Sequence, residues 1–535
     1  MKRSFSRTAV IAIMLAVSIV MIATVQGAST SKSGGTLTYV GDFLPAMTDP
    51  RYTPMSKFGQ TIMFQIMQPL VAYDPDGKLI PVLALSWKAS PDNKEFVLKL
   101  RKLIKFHNGK EFTSEDVVAA FDVVLGKIKT KVPITVTGTN YANLKDVVAV
   151  DKYTVKFILP KPAPVFPALL ATWLPSLCIQ PKEDYENPEA VTKPIGTGPY
   201  KFVEYVLGER LVLERNKNYW GGPYGTYYGD RPYIDKVVCL EGREESSRVM
   251  ALLSGNADLL YEIREVQNHA QIKNNPSLQL MKVNAPRVKS FVFNQRYYPF
   301  NNLDVRKAVA MGIDWDKVAA AMFDGENRKL DLFGDTKFAL ADINSLVYKY
   351  NPEEAKKLIA KVKAEFGPIK MSNLYAPSDP QVKMLAEYLK SELPKLGVDE
   401  VELIPVMAEK GVYFRNTQPG TWQTNVLYVE TGQADPYIPF PTIALTPGSY
   451  PDGKNTLGYI NPAVDKLIDQ AAASRDSKVQ IKAYQDALRL LYRDVVFIPI
   501  TAEPIFMGAN NKIQNLRMTA FYRTQFTLAG VWLKK

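Results

Sequence analysis

The chain is poor in the two residue types that most often build metal and nucleophile sites. Its 535 residues include two histidines, His107 and His269, and two cysteines, Cys178 and Cys239. No His-Glu-x-x-His or Cys-x-x-Cys motif occurs, which argues against a transition-metal site made of His and Cys. A Ser-His-Asp triad would need one of the two histidines, and the Gly-x-Ser-x-Gly motif is absent. We therefore expect no metal or other cofactor.

Long apolar runs are also missing after the first 25 residues. At the N-terminus, Lys2, Arg3 and Arg7 precede the uncharged run Ala9–Val25, and small residues follow. This pattern predicts a signal peptide over residues 1–27, with an uncleaved anchor as the alternative. No cysteine lies near the cleavage site to carry a lipid. We expect a periplasmic protein without a further membrane span.

Phosphate-binding and nucleic-acid-binding signatures are absent as well. The chain has no Gly-x-x-x-x-Gly-Lys-Ser/Thr loop and no dense block of basic residues, although its formal net charge is +12. The isolated Gly196-Thr197-Gly198 lacks the third glycine and the following helix of a dinucleotide site. Nucleotide hydrolysis and nucleic-acid binding are therefore not expected.

The two cysteines each lie in a run that predicts a strand. Burial as two small apolar side chains is the simpler interpretation of this placement. An oxidising compartment also permits a disulfide, but spacing alone does not show that the two residues are close. Both interpretations remain open at this point.

The stretch Ser290–Asp314 divides the chain. Phe291–Asn294 predicts a short strand, and Asp304 is expected to cap a helix that ends at Gly312. A later strand, Phe497–Ile500, is expected to return the chain. Two lobes joined by two crossing strands leave a cleft, and a cleft can hold a ligand.

Strand–helix alternation on both sides of this division predicts an α/β protein with mixed sheets flanked by helices. Thr113 precedes Asp116 in an N-cap arrangement, and Asn351-Pro352 and Asp379-Pro380 are strong helix starts. The 28 Tyr, 24 Phe and 6 Trp include several residues expected in loops, where they suit a cleft that is dry when closed. Trp422 and Tyr428 belong to this set.

Several motifs occur in an order and spacing that resemble one known family. They are Leu100-Arg101, Lys105–Val117, Gly196–Tyr200, Pro299-Phe300, Val305–Ala308, Ile313-Asp314, Tyr350-Asn351-Pro352, Asp435-Pro436, and Tyr459–Pro462 with Asp465. Over nearly the whole mature chain, the sequence resembles the large extracellular solute-binding proteins of ABC importers, family 5, in the oligopeptide-, dipeptide- and nickel-binding group.

The resemblance implies a two-lobed periplasmic-binding-protein-like fold with an inserted domain and a two-strand hinge. After the signal peptide, lobe I would comprise residues 28–55, 182–286 and 504–535. The inserted domain of lobe I would span residues 56–181, and lobe II residues 287–503.

The resemblance also implies ligand contacts, by position in the family's pattern. These are expected at Phe43, Pro45, Gln381, Trp422, Tyr428, Glu430, Thr431, Gly432 and Asp435. Peptide binders of the group carry an Asp where this chain has Gly432, and a Trp where it has Val429. A buried ammonium without an anionic partner is costly, so an uncharged or anionic solute gains support. So few histidines argue against the nickel-binding branch.

The expected function is that of a monomeric, non-enzymatic solute-binding subunit, which captures a peptide-class solute and delivers it to an inner-membrane ABC permease complex. A non-peptide solute, such as an opine or an oligosaccharide, is one alternative. A sensor that docks on a receptor is another. Since 54 acidic residues always allow some pairing, a secreted two-carboxylate glycoside hydrolase also stays open.

The departure at Gly432 generates a prediction. Gly432→Asp should raise the affinity for solutes that carry an ammonium group by at least about tenfold, because a buried carboxylate supplies a charge-assisted hydrogen bond. Isothermal titration measures the change, with Gly432→Asn as a control of the same size without charge. An unchanged ligand profile would show that Gly432 does not face the cleft.

Overall fold

The computed structural model describes most of the chain after the expected signal peptide, and every structural statement concerns these residues. They are 32–42, 44, 57–74, 78–129, 144–172, 179–221, 231–283, 287–322, 330–333, 337–377, 379–406, 422–430, 455, 457–474, 476–502, 504–519 and 525–535. Within these ranges, no helix is both long and apolar enough to cross a bilayer. The expected signal peptide, residues 1–27, lies outside them.

The strands in chain order are β1 Thr36–Gly41, β2 Val71–Tyr73, β3 Leu79–Pro81, β4 Ala84–Ala89, β5 Glu95–Leu100, β6 Asp146–Asp151, β7 Thr154–Ile158, β8 Tyr200–Val206, β9 Arg210–Arg215, β10 Lys236–Glu241, β11 Leu259–Leu260, β12 Leu278–Val283, β13 Arg287–Phe293, β14 Lys370–Tyr375, β15 Glu400–Pro405, β16 Thr424–Glu430, β17 Phe497–Ala502, β18 Ile505–Asn510, β19 Ile513–Gln514, β20 Met518–Thr519, β21 Gln525–Phe526 and β22 Trp532–Leu533. The α-helices are α1 Lys57–Ile66, α2 Ser114–Val124, α3 Phe166–Thr172, α4 Glu245–Leu253, α5 Val266–Lys273, α6 Leu303–Gly312, α7 Trp315–Met322, α8 Ile343–Leu346, α9 Pro352–Phe366, α10 Pro380–Glu392, α11 Pro462–Ala473 and α12 Ser477–Arg493.

A seven-stranded sheet has the order β12–β18–β11–β1–β10–β9–β8. Its central strand β1 pairs in parallel with β10 on one side and with β11 on the other. Helix α4 connects β10 to β11, and the mixed sheet predicted from strand–helix alternation is confirmed. The carboxyl ends of β1, β10 and β11 therefore meet at one edge.

A five-stranded sheet has the order β15–β14–β16–β13–β17. Strand β14 is parallel to both β15 and β16, whereas β13 is antiparallel to both of its neighbours. Helix α10 connects β14 to β15. Phe291 and Phe293 of β13 pack with Trp315 in an apolar core on one face of this sheet.

The chain passes between these two sheets twice. Strand β12 leads into β13, and β17 leads back into β18. The same strands are neighbours in each sheet, since β12 pairs with β18 and β13 pairs with β17. The two predicted crossing strands are thus confirmed. The expected cap is wrong in detail, because the Asn302 side chain, not Asp304, caps α6 by accepting the Asp304 N–H.

A four-stranded antiparallel sheet, β4–β5–β7–β6, lies within the segment predicted as an inserted domain. Thr113 and Asp116 begin α2 as predicted, with the Thr113 N–H donating to Asp116 Oδ2 at 2.8 Å. Helix α1 behaves differently, because Phe58 packs on Tyr39 of β1 with ring centroids 4.7 Å apart. This helix shares the core of the seven-stranded sheet, although the predicted boundary assigns it to the inserted domain.

Two of the recognised motifs meet at a buried arginine. The Arg306 guanidinium donates from Nη1 to Phe300 O at 2.6 Å and from Nη2 to Asp494 O at 2.8 Å. Burial lowers the pKa of Arg306 to about 10. Tyr459 and Asn461 both donate to the Asp494 carboxylate. These motif residues therefore hold α6, α11 and the end of α12 together.

His107 joins the β5–α2 connection to the loop before β8. The His107 backbone N–H donates to Gly196 O at 2.9 Å. In the ring, Nδ1 accepts the Gly196 N–H and Nε2 donates to Gly198 O at 3.0 Å, which fixes a neutral imidazole. Neither glycine can be replaced easily, because a Cβ atom at either position would overlap backbone atoms at the end of α1. These contacts give His107 a structural role, since they join two segments that are distant in sequence.

This geometry generates a pH prediction. Burial lowers the pKa of His107 from 6.5 to about 4. Because the folded-state pKa lies below the unfolded one, the stabilising contribution is complete above pH 6.5 and is lost as the pH falls towards 4. Wild-type stability should decline by up to about 1.4 kcal/mol per pH unit in this window through this group alone.

Comparison with His107→Gln isolates this contribution, since glutamine can donate and accept in the same place without titrating. Melting temperatures at pH 7, 6, 5 and 4 should fall more steeply for the wild type than for the variant. Parallel pH profiles would contradict the prediction.

Candidate functional site

The candidate site is the edge of the five-stranded sheet at which the crossovers enter and leave. Strand β16 ends here at Glu430, paired with Arg287 at the start of β13. The end of β17 pairs with the same part of β13, with Ala502 opposite Val288. Strand β14 runs parallel to β16 and so ends at the same edge. The segment expected to bind the ligand, from Tyr428 onward, therefore leaves the sheet beside the hinge.

The structure describes only some of the predicted contacts. Phe43, Pro45, Thr431, Gly432 and Asp435 lie outside the described residues. Tyr428 and Glu430 are among the last residues of β16, where the backbone of Tyr428 lies opposite that of Lys289 in β13. Gln381 and Trp422 are described in full.

Gln381 lies in the first turn of α10 and contacts the crossing strand. Asp379 caps this helix, because its carboxylate accepts the N–H groups of Gln381 and Val382. Lys289 reaches the same helix end from β13, with Nζ 2.6 Å from Gln381 Oε1 and 3.5 Å from Asp379 Oδ2. The structure therefore brings Gln381 to the hinge edge, and its contact with a ligand stays a prediction.

We expected Trp422 to be an aromatic residue at the cleft, but its side chain is buried in the protein interior. Its exposed fraction is 0%, and its ring belongs to a hydrophobic core. The Asn294 side chain donates to Trp422 O at 2.9 Å, which fixes the chain just before β16. At this position the structure shows a core residue.

A second candidate edge belongs to the seven-stranded sheet, at the carboxyl ends of β1, β10 and β11. In open α/β sheets, ligands bind outside the carboxyl ends of such strands. The Leu44 N–H donates to Glu241 Oε2 at 3.1 Å, so Leu44 lies at this edge. Arg248 Nη1 donates to Gly242 O and to Arg243 O beside it. Burial lowers the pKa of Arg248, and the nearby carboxylates Asp42 and Glu245 oppose this shift.

Sequence reasoning missed Lys289, Glu241 and Arg248 at these edges. Lys289 carried one signal, since it interrupts an otherwise apolar strand pattern. The other two lie in a charged segment where the sequence does not distinguish a buried group from a solvated one. Their positions depend on which strands become neighbours in the sheet.

The residues that most often react or bind metals take structural positions. The Cys239 thiol is free and buried, and burial raises its pKa well above the ordinary range. Cys178 lies outside the described residues. His269 contacts Ile263 O through Nε2 at 3.1 Å. Within the described part of the chain, no group of three His, Cys, Asp or Glu side chains is arranged to hold a metal ion.

Similarity to solved structures supports the two-lobed fold. The chain resembles the dipeptide-binding protein of Pseudoalteromonas sp. SM9913 in complex with Met-Leu, with a TM-score of 0.79, 21% identity, and coverage of 94% of this chain and 100% of that one. It also resembles the periplasmic binding protein AgaA of A. tumefaciens R10 in complex with agropinic acid, with a TM-score of 0.77, 22% identity, and coverage of 94% and 99%. The two-lobed periplasmic-binding-protein fold predicted from the sequence is confirmed.

Sequence comparison gives the family. The nickel-binding periplasmic protein of Escherichia coli K12 is 26% identical over 483 residues, which cover 87% of this chain and 88% of the relative. The profile of the bacterial extracellular solute-binding proteins, family 5, matches residues 78–450. The chain therefore belongs to the family 5 extracellular solute-binding proteins of bacteria.

Proposed function

We propose that this chain is the periplasmic binding subunit of an ABC importer. It captures a peptide-class small solute between its lobes and delivers that solute to the inner-membrane permease complex. In this proposal the first 27 residues direct export and are removed, and the mature protein acts as a monomer.

The observation that carries the proposal is the double crossover between the two sheets. Strands β12 and β18 are adjacent in one sheet, and β13 and β17 are adjacent in the other. Rotation about two adjacent connections can open and close the space between the sheets without disrupting either core. The edge that carries Lys289 and Gln381 adjoins these connections, so a solute held there contacts the moving part.

A solute closes such a hinge only if it binds the closed form more tightly than the open one. Contacts from both lobes meet this condition, because the second set of contacts forms only on closure. Changing a ratio of open to closed molecules from 99:1 to 1:99 requires about 5.5 kcal/mol of differential binding. The permease can then distinguish loaded from empty protein by shape.

A non-peptide solute is the second candidate for the same cleft. The fold is shared with a protein that binds Met-Leu and with one that binds agropinic acid, so the fold alone does not select a peptide. The glycine at position 432 removes the carboxylate that the peptide-binding pattern provides for an ammonium group. This departure favours an uncharged or anionic compound.

We also propose that the chain is not an enzyme. A two-carboxylate glycoside hydrolase remains the competing proposal from another class. The two differ in the fate of the bound compound, which a binding protein releases unchanged. Incubation with a panel of glycosides, followed by mass spectrometry, should therefore return the starting compounds without hydrolysis products.

The importer proposal predicts ligand-dependent stabilisation. A compound at 100 times its Kd should add about 2.7 kcal/mol to the free energy of unfolding, because it binds only the folded chain. Differential scanning fluorimetry with short peptides, opines and oligosaccharides should find at least one class that raises the melting temperature by a few degrees. An unrelated protein of similar stability serves as the control for nonspecific effects.

The compound that co-purifies with the exported protein gives the second readout. Its mass should match a small solute that also raises the melting temperature when added back. The proposal fails if no compound in the panel or in the co-purified fraction stabilises the protein, or if the bound compound returns chemically changed.

A further inference from the structure

We propose that Lys161, Asp465 and Asp469 form an electrostatic latch between the predicted inserted domain and lobe II, which raises the affinity for every solute by favouring the closed form. This inference rests on the proposed solute-binding function and concerns the control of closure. It depends on the contact between the two parts, on the stiffness of the segment that carries Lys161, and on the charges that face each other.

The predicted inserted domain and lobe II touch each other through apolar side chains. One continuous cluster of buried residues includes Ala163 and Val165, which follow β7, and also Val464 and Ile468 of α11. The first two precede the first crossover, whereas α11 lies between the two crossovers. Rotation about the hinge therefore moves one side of this contact relative to the other.

Lys161 lies in a stiff connection between β7 and α3. It is exposed and is flanked by two prolines, whose rings fix the backbone angle φ. The Leu159 N–H donates to Lys94 O at 2.8 Å. The Ala163 N–H donates to Asn93 O at 3.0 Å, so both ends of the connection are tied to the β4–β5 turn. A side chain presented from such a segment loses less conformational entropy when it forms a contact.

The charges on the lobe II side belong to α11. Asp465 and Asp469 are four residues apart in this helix, so their carboxylates lie on the same side of it and repel each other. Burial raises the pKa of Asp469, the Lys161 ammonium lowers it, and the Asp465 carboxylate raises it. The amine on one side of the contact is therefore within electrostatic range of the carboxylates on the other side. Its positive charge offsets their repulsion when the two parts are together.

An attraction between the two parts changes the affinity without touching the solute. The apparent affinity of a protein that must close is reduced by the fraction of molecules that are not in the closed form. A contact that favours closure therefore raises the affinity for all solutes by one factor and leaves the selectivity unchanged. Partly exposed ion pairs are weak, so the expected factor is small.

Zero-length cross-linking tests the contact on the mature wild-type chain. A water-soluble carbodiimide, which joins a lysine amine to a carboxylate as an amide, is applied to the empty protein and to the protein saturated with a solute from the melting-temperature screen. Mass spectrometry of the digest should find Lys161 joined to Asp465 or Asp469. The yield should be at least about twofold higher with solute, because more molecules are closed. Equal yields, or no such product in either state, overturn the inference.

Charge reversal then measures the effect on affinity. Lys161→Glu replaces attraction by repulsion and should weaken the binding of two chemically different solutes by the same factor, about three- to tenfold, in isothermal titration. Adding Asp469→Lys restores the attraction with reversed signs and should return both affinities to within about twofold of the wild type. Lys88→Glu makes the same change in net charge at an exposed position of β4, and it should leave both affinities unchanged.

The remaining outcomes separate closure from other roles. If Lys161→Glu weakens one solute only, the lysine acts on that solute and the inference is wrong. It is also wrong if both affinities stay unchanged or if the double variant does not recover them. Should Lys161→Glu fail to fold, Lys161→Gln decides the question with a smaller loss, about twofold, because it only removes the charge. A protein that binds a solute without the cross-link overturns this inference alone, whereas a protein that binds nothing contradicts the proposed function as well.

Discussion

The arrangement of the molecule depends on the pairing of its crossing strands. β12 and β18 are hydrogen-bonded neighbours in the seven-stranded sheet, and their continuations β13 and β17 are neighbours in the five-stranded sheet. Each connection would be weak alone, but paired strands at both ends fix where the chain can bend. The same pairing brings the ends of β14 and β16 to the hinge. The edge that we propose to bind the ligand therefore adjoins the hinge.

The recognised sequence motifs explain the architecture better than they explain the solute. Arg306 anchors two backbone carbonyls, and His107 ties the Gly196–Gly198 loop to the β5–α2 connection. These contacts join secondary-structure elements and do not determine which groups would contact a solute. A match to the family thus establishes the fold and the class of protein, whereas the choice of solute, for which we propose a role of Gly432, depends on residues that differ between members.

Local signals in the sequence predicted many helix boundaries correctly. Asn351 accepts the Glu354 N–H at the start of α9, and Asp379 caps α10, because these interactions involve only neighbouring residues. The crossing strands β13 and β17 were also predictable, since the runs Phe291–Phe293 and Phe497–Ile500 are strongly apolar.

Contacts between elements that are distant in the sequence were harder to predict. Sequence reasoning did not predict that Gln381 Oε1, in the first turn of α10, lies 2.6 Å from the Lys289 amine. Trp422 was expected at the cleft because aromatic residues with a polar group suit clefts, yet its side chain is buried in the core, where so large an apolar surface gains more free energy. Asn302 caps α6 in place of the predicted Asp304, since the side chains of both residue types are suited to this role. These outcomes depend on which elements pack together.

Small-angle X-ray scattering tests the central claim most directly. It is measured on the mature chain without solute and with a saturating solute whose binding has been established independently. The paired crossovers predict a smaller radius of gyration and a shorter maximum dimension when the solute is bound, since the lobes rotate towards each other around it. Superimposable scattering curves for the empty and loaded protein would contradict the account.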